Sequence, residues 1–533
     1  MPERTPLNAV IFGELKHPDY TVSKVYFESL PGFYVTGNLY RPVGRGRFPA
    51  ILSPHGHWPY GRLENNDLVS GPGRAISFAR QGYVVFTYDM IGFNDSRQLP
   101  HNPDHTLDDH AFGGRRENLW GFSLGGLQLW NSIRSLDFLE SLPDVIRDRI
   151  GVTGESGGAT QTILVSAVDN RVAVSAPVNM ISLLMQGGCL CENPPGLRLD
   201  TNNVELSALI APRPLLMVSA TGDWTRETME SEFPEMRRFY ALFGADDRVH
   251  AVRMTAEHNY NRDSREAVYA WMARWLKGAP ADVQVKEQPF RPDPMAELLV
   301  FHRRPLPEGA LTAAQITENW ITAAKRQLGA SDQQMFHAAL LHSLNFERQV
   351  GEPAAGRGRQ TVLLASDNGE VERAIAGAGF AVRRVPLTPF DADAAAKISH
   401  FETYNRTPAS QRVADIVAAV SSEPDAVLIA DGDAALAGLL AAAVARIKLA
   451  ILDVGQFDAS NDQAFLERLY IPGVRRAGDL RTAAAMARGE IVVHDAGSRF
   501  RVDGVSARPQ KLTSAEIVAL LRNRRPPRSQ PAR

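Results

Sequence analysis

The sequence predicts an α/β fold: a mostly parallel sheet with helices on both faces, followed by a second, smaller α/β domain. Three observations carry this. Short apolar runs alternate with amphipathic segments from Phe48 to Lys277, the rhythm of parallel strands joined by helices. The same alternation resumes beyond residue 313. At 533 residues the chain also exceeds what a single core usually holds.

The elements follow in order. From about residue 20, alternation in VSKVYFESLPGFYVTGNLYRP predicts an antiparallel hairpin at the sheet edge. Strand and helix pairs come next: FPAILSP with GRAISFARQG, YVVFTYD with LQLWNSIRSLDFLESL, and RIGVTG with ATQTILVSAV. VAVSAPV is a further strand, then RPLLMVSA pairs with EFPEMRRFYALFG and VHAVRMTA with SREAVYAWMARWLKG. After Gly278, GAPADVQVKEQPFRPDPMAE has proline and charge without a period. The expected division is a first domain over 1–285, a linker over 286–312, a second domain over 313–522 and a disordered Pro/Arg-rich tail over 523–533. Strands in the second domain are expected at TVLLAS, AVRRVPL, AVLIAD, KLAILDV and EIVVHDA.

Composition narrows the partners. Charged residues are 22% of the chain and the net charge is −2, so no electrostatic signal points to nucleic acid or an anionic membrane. A small neutral substrate fits better, and homo-oligomerisation stays open. The sequence has neither a leader pattern nor an apolar run of about 18 residues. A soluble protein is expected, cytoplasmic as it stands or exported had a leader been removed. The only cysteines, Cys189 and Cys191 in QGGCLCENPPG, are too close for an unstrained mutual disulfide and are read as packing residues.

Two stretches, WGFSLGG around Ser123 and VTGESGG around Ser156, spell G-x-S-x-G, which marks a nucleophile where a strand ends in a sharp turn before a helix. Ser156 has the strand RIGVTG before it and a helix after it. Ser123 has no strand before it and is read as a helix-start serine. Asp223 in SATGDWT and His258 in AEHNYN follow later strands, giving the order Ser, Asp, His. In that arrangement His258 takes the Ser156 proton and Asp223 orients the imidazole. The N–H groups of Gly157 and His57, the latter in ILSPHGHWPYGR, are the candidate oxyanion donors.

These residues resemble the α/β-hydrolase superfamily, and more narrowly the bacterial acetyl xylan esterase-like serine esterases. PHGHWPYGR, TYDMIGFNDS, RIGVTGESGG, APVNMIS, QGGCLCENPPG, SATGDWT and AEHNYN all look like that group. The resemblance spans roughly residues 20–278 and implies Ser156, Asp223 and His258 as the catalytic triad of a carboxylic ester hydrolase acting on short acyl esters such as acetylated carbohydrate. It implies no cofactor and no metal. It also implies that the second half is a hydrolase-like unit without chemistry: Asp433, in DGDAALAG, stands where a serine is expected, and His494 has no evident partners. DGDAALAG fits neither dinucleotide nor phosphate-loop spacing.

Pocket candidates are Trp58, Trp120, Gln186, Cys189 and Trp224, with Glu192 beside them. HNPDHTLDDH gathers His101, His105 and His110 with Asp104, Asp108 and Asp109, residue types that bind zinc, but its flanks read as a solvated loop. Two competing functions remain: a serine peptidase of the oligopeptidase kind, which predicts a propeller-like domain of repeated strands, and a nonenzymatic binding scaffold.

Overall fold

The computed structural model describes residues 2–101, 114–330, 333–350, 361–423 and 425–523. It divides into two compact units: Met1–Gly114 with Ser123–Glu318, and Arg115–Phe122 with Asn319–Arg533.

In the first unit nine strands form one mixed sheet: β1 Val10–Lys16, β2 Tyr20–Leu30, β3 Phe33–Pro42, β4 Phe48–Ser53, β5 Val84–Tyr88, β6 Val145–Glu155, β7 Val172–Val178, β8 Leu215–Ala220 and β9 Val249–Met254. Their order is β1-β2-β3-β5-β4-β6-β7-β8-β9. The edge strands β1, β2 and β3 are antiparallel, as is the β3–β5 pair; from β5 through β9 neighbours run parallel. Every residue of β5 and β8 is buried, which is why they read as continuous apolar runs. β1 eluded periodicity because five of its seven residues are exposed and none is buried.

Helices cover both faces. Within β8, Leu216 and Val218 join a core with Ile76 and Phe78 of the helix Gly71–Arg80 and Tyr269 and Met272 of the helix Arg262–Lys277. Leu215 and Met217 point the other way, to a core with Ile163, Met236 and Tyr240. Strand period 2 thus feeds two cores at once, each fully buried side chain contributing about 1.5–3 kcal/mol.

Residues 286–318, read from sequence as mostly linker, lie within the first unit. The cause is polar and aperiodic. Buried Arg62 and Asn38 both donate to the Leu298 carbonyl, at 3.2 and 2.9 Å. The N–H groups of Val300 and Phe301 donate to Asp95 at 2.8 and 3.0 Å, and Arg62 also pairs with Asp89 and Asp95. Glu287 meanwhile accepts from Arg265 and from the Tyr269 hydroxyl.

The second unit holds a wholly parallel six-stranded sheet: β10 Thr361–Ala365, β11 Ala381–Arg384, β12 Val427–Asp431, β13 Leu449–Asp453, β14 Glu490–His494 and β15 Ser506–Ala507, in the order β11-β10-β12-β13-β14-β15. One core surrounds the buried helix Gly432–Val444; the other lies beneath Gly369–Gly377 and Ser514–Arg522. Beyond Asn523 the expected tail lies outside the described residues. Among the described residues no helix is long and apolar enough to cross a membrane.

Candidate active site

Ser156 sits between the end of β6 and the helix Gly157–Val168 with φ 55° and ψ −121°. Such a backbone is rare for a residue with a Cβ and costs of order 1–3 kcal/mol, so neighbouring contacts must enforce it. Its N–H donates to the Val178 carbonyl at 3.0 Å, and its carbonyl accepts from Ala159 and Thr160. The following glycines permit close approach: a Cβ on Gly157 would lie 2.5 Å from His57 Cε1, and one on Gly158 would lie 2.6 Å from the Pro54 carbonyl oxygen. As the first helical residue, Gly157 has an N–H without an acceptor inside its own helix. Ser123 is different. It is an extended N-cap whose hydroxyl accepts from the Gly126 N–H at 3.1 Å.

Below the elbow lies a network that sequence reasoning missed. Glu155 is almost wholly buried and pairs with Arg74 at 2.7 Å. It also accepts the Gly56 N–H at 3.2 Å, tying the His55–Trp58 loop to the residue before Ser156. Arg74 further donates to Ser53 at 2.9 Å and lies 4.5 Å from the Tyr260 ring centroid. A buried charge is tolerated only when paired and bonded in this way. The ring of His55 donates from Nδ1 to the Gly56 carbonyl and accepts the Met90 N–H at Nε2, the tautomer being assigned from these partners. Burial pushes its pKa down to about 3, so it stays neutral.

Asp223 follows β8 and His258 follows β9. His258 Nδ1 donates to Asp223 Oδ2 at 2.8 Å, while Asp223 Oδ1 accepts the Thr225 N–H and hydroxyl at 2.7 and 2.6 Å. That leaves Nε2 of the imidazole as its proton acceptor. The ring lies 4.4 Å from Trp224 and 6.1 Å from Trp58, centroid to centroid.

Ser156 and His258 line a cavity of about 270 Å³ with His57, Trp58, Trp224 and Glu192, and with Met180, Met185 and Gly188, which the sequence reading did not single out. Three pocket candidates are not brought there. Trp120 is buried in the second unit, where its indole donates to Asp462 at 2.9 Å; its flanking helix signal hid a change of unit. The Gln186 amide oxygen accepts the Asn203 N–H at 2.7 Å, so that side chain anchors a helix start. Cys189 is turned into the protein and is 1% exposed.

Cys189 has other company. His101 Nε2 lies 2.8 Å from Cys189 Sγ, and His57 Nε2 lies 3.1 Å from Cys191 Sγ. The four side chains present one nitrogen or sulfur each, no pair more than 4.8 Å apart. The remaining residues of the expected His/Asp loop, Asp104, His105, Asp108, Asp109 and His110, lie outside the described residues.

In the second unit, the positive φ at the strand-to-helix junction belongs to Gly432, at 57°, and not to Asp433. The elbow-like position therefore carries no side chain at all, and Asp433 instead accepts from Arg468 at 3.0 Å. His494 Nδ1 accepts the Leu512 N–H at 3.2 Å.

The family model for acetyl xylan esterase (AXE1) matches residues 10–182, a stretch that contains Ser156. A solved methylesterase, BT1017, is 30% identical, the match covering 60% of this chain and 71% of that one at a TM-score of 0.49. Over residues 10–182 the chain is therefore similar to the acetyl xylan esterase family. YtaP of Bacillus subtilis, whose name assigns it provisionally to the hydrolases, is 27% identical over 249 residues, 43% of this chain and 80% of YtaP. The acetyl xylan esterase of Paenibacillus sp. R4 is 17% identical, covering 51% of this chain and 90% of its own, with a TM-score of 0.36.

Proposed function

We propose that the protein is a serine carboxylic ester hydrolase that forms an acyl-enzyme at Ser156 and acts on short acyl esters, acetylated carbohydrate foremost. The supporting observation is the left-handed backbone of Ser156 on the same cavity as the Asp223–His258 pair. Ser156 Oγ attacks the ester carbonyl carbon as His258 Nε2 takes its proton. The N–H groups of Gly157 and His57 hold the developing oxyanion. His258 then returns the proton to the leaving alcohol, and a water activated by the same imidazole releases the acid. Asp223, bonded to Nδ1 throughout, keeps the tautomer and stabilises the imidazolium.

The cavity supports the choice of acyl group. Its volume and its Trp58, Trp224, Met180 and Met185 walls suit a small apolar acyl chain, and among the described residues no lysine or arginine lines it. The peptidase alternative predicted a propeller; the second unit is instead a parallel α/β sheet. With Gly432 at its elbow-like position, that unit is read as noncatalytic.

Acetate release from a chromogenic acetate ester tests this reading. Ser156→Ala is expected to lower kcat by about 10⁴-fold or more, and Ser123→Ala to leave it near the parent level. Loss of turnover in folded Ser123→Ala with turnover kept in Ser156→Ala overturns the assignment. A panel of acetylated sugars, methyl esters of sugar acids and peptides then separates substrate classes.

A further inference from the structure

His57, His101, Cys189 and Cys191 come from three loops, separated by up to 134 residues of sequence, and converge in the interior of the first unit. His101, Cys189 and Cys191 are 6%, 1% and 0% exposed. Two thiols and two imidazoles are the donor set that selects tetrahedral zinc. One feature goes beyond the donor set. His101 Nδ1 donates to the Ile91 carbonyl at 2.8 Å, which fixes the tautomer with the Nε2 lone pair facing Cys189; a metal-bound histidine is held in the same way by its outer partner.

The loop that carries the cysteines is braced. Glu192 accepts the N–H groups of Gly188 and Cys189, each at 3.0 Å, and the Thr160 hydroxyl from the nucleophile helix at 3.1 Å. Asn193 donates to the Cys189 carbonyl at 2.8 Å, and Arg198, itself buried, holds Asn193 at 2.8 Å. The thiols therefore project from a fixed frame.

We propose that these four side chains bind one zinc ion in a closed, structural site. Zinc–sulfur bonds of about 2.3 Å and zinc–nitrogen bonds of about 2.0 Å set tetrahedral neighbours roughly 3.3–3.8 Å apart. Reaching that geometry opens the two imidazole–thiol contacts and closes the widest pair by about 1 Å, within the reach of side-chain rotation. Binding releases the two thiol protons to solvent. Two thiolates against Zn²⁺ leave the site neutral, which suits its burial. All four positions are taken by protein, so none remains for water or substrate. The ion's work is to clamp the loop carrying His57, whose ring packs on Gly157, to the segment that brings Gly188 and Glu192 to the cavity.

The full chain, purified under reducing conditions, is expected to contain about one zinc per chain. After stripping, added Co²⁺ is expected to give the visible absorption of a tetrahedral thiolate-bound ion, and Zn²⁺ to restore the thermal midpoint that stripping lowers. The Cys189→Ser/Cys191→Ser variant, its fold checked by circular dichroism, is expected to contain no zinc. Zinc-free protein whose stripped form shows no cobalt spectrum overturns the proposal. A Cys189–Cys191 disulfide in the purified chain, or full zinc in the double variant, also overturns it. The readout is metal content, so it decides the question whether or not Ser156 is the nucleophile.

Discussion

At the residue scale, the proposed mechanism puts two demands on Gly157: its N–H is to face the substrate, and its missing Cβ makes room for His57. Gly157→Ala places a methyl 2.5 Å from the imidazole and is expected to displace the loop bearing His57, the proposed second oxyanion donor. One such donor is worth about 10²–10³ in kcat, so a fall of about 10²-fold is expected, with KM changed less, in steady-state assays on an aryl acetate. His55 gives a pH signature. Burial pushes its pKa from the ordinary 6.5 down to about 3, so between these values the unfolded chain binds a proton that the native one refuses. Stability is then complete above about pH 6.5 and falls as pH drops toward 3, by about 1.4 kcal/mol per unit from this group. His55→Gln is expected to flatten that slope in urea titrations at pH 7, 6 and 5. The strand-end positions of Ser156, Asp223 and His258 were legible because an elbow and its partners occupy ordered places along the chain. The convergence of His57 and His101 on the cysteines was not, since no spacing rule links residues on three separate loops.

At the element scale, the apolar strands announced themselves, while the pieces held by polar groups did not. β1 pairs with β2 through backbone groups that leave no side-chain period, and residues 295–301 are fastened by Asn38, Arg62 and Asp95 through main-chain contacts that composition cannot show. Arg62→Met tests how much this fastening matters. It removes the cation from between Asp89 and Asp95 in a fully buried setting, and a broken buried pair costs about 3–5 kcal/mol. Burial already raises the Asp89 pKa to about 6. The variant is expected to lose stability by that amount at pH 7 and to show faster proteolysis near residues 295–301.

At the scale of the whole molecule, the chemistry falls, on the proposed reading, to the first unit alone. Asp433 and His494 are engaged with Arg468 and the Leu512 backbone, so His494→Ala and Asp433→Ala are expected to leave ester turnover within about twofold of the parent, whatever they do to the second unit's melting; a fall of 10²-fold in a folded variant would sink the noncatalytic reading. The boundary between the units was the least legible part of the sequence because it is crossed more than once. Residues 115–122 lie early in the chain yet belong to the second unit, where Leu119 and Trp120 are buried and the Trp120 carbonyl accepts from the Trp320 indole at 3.0 Å. During synthesis this segment leaves the ribosome before any of residues 319–533 exist, and its two large apolar side chains must wait uncovered for their partners. A chain ended at Glu318 would keep them permanently uncovered, and is expected to bind a hydrophobic dye and aggregate unless both are replaced by polar residues.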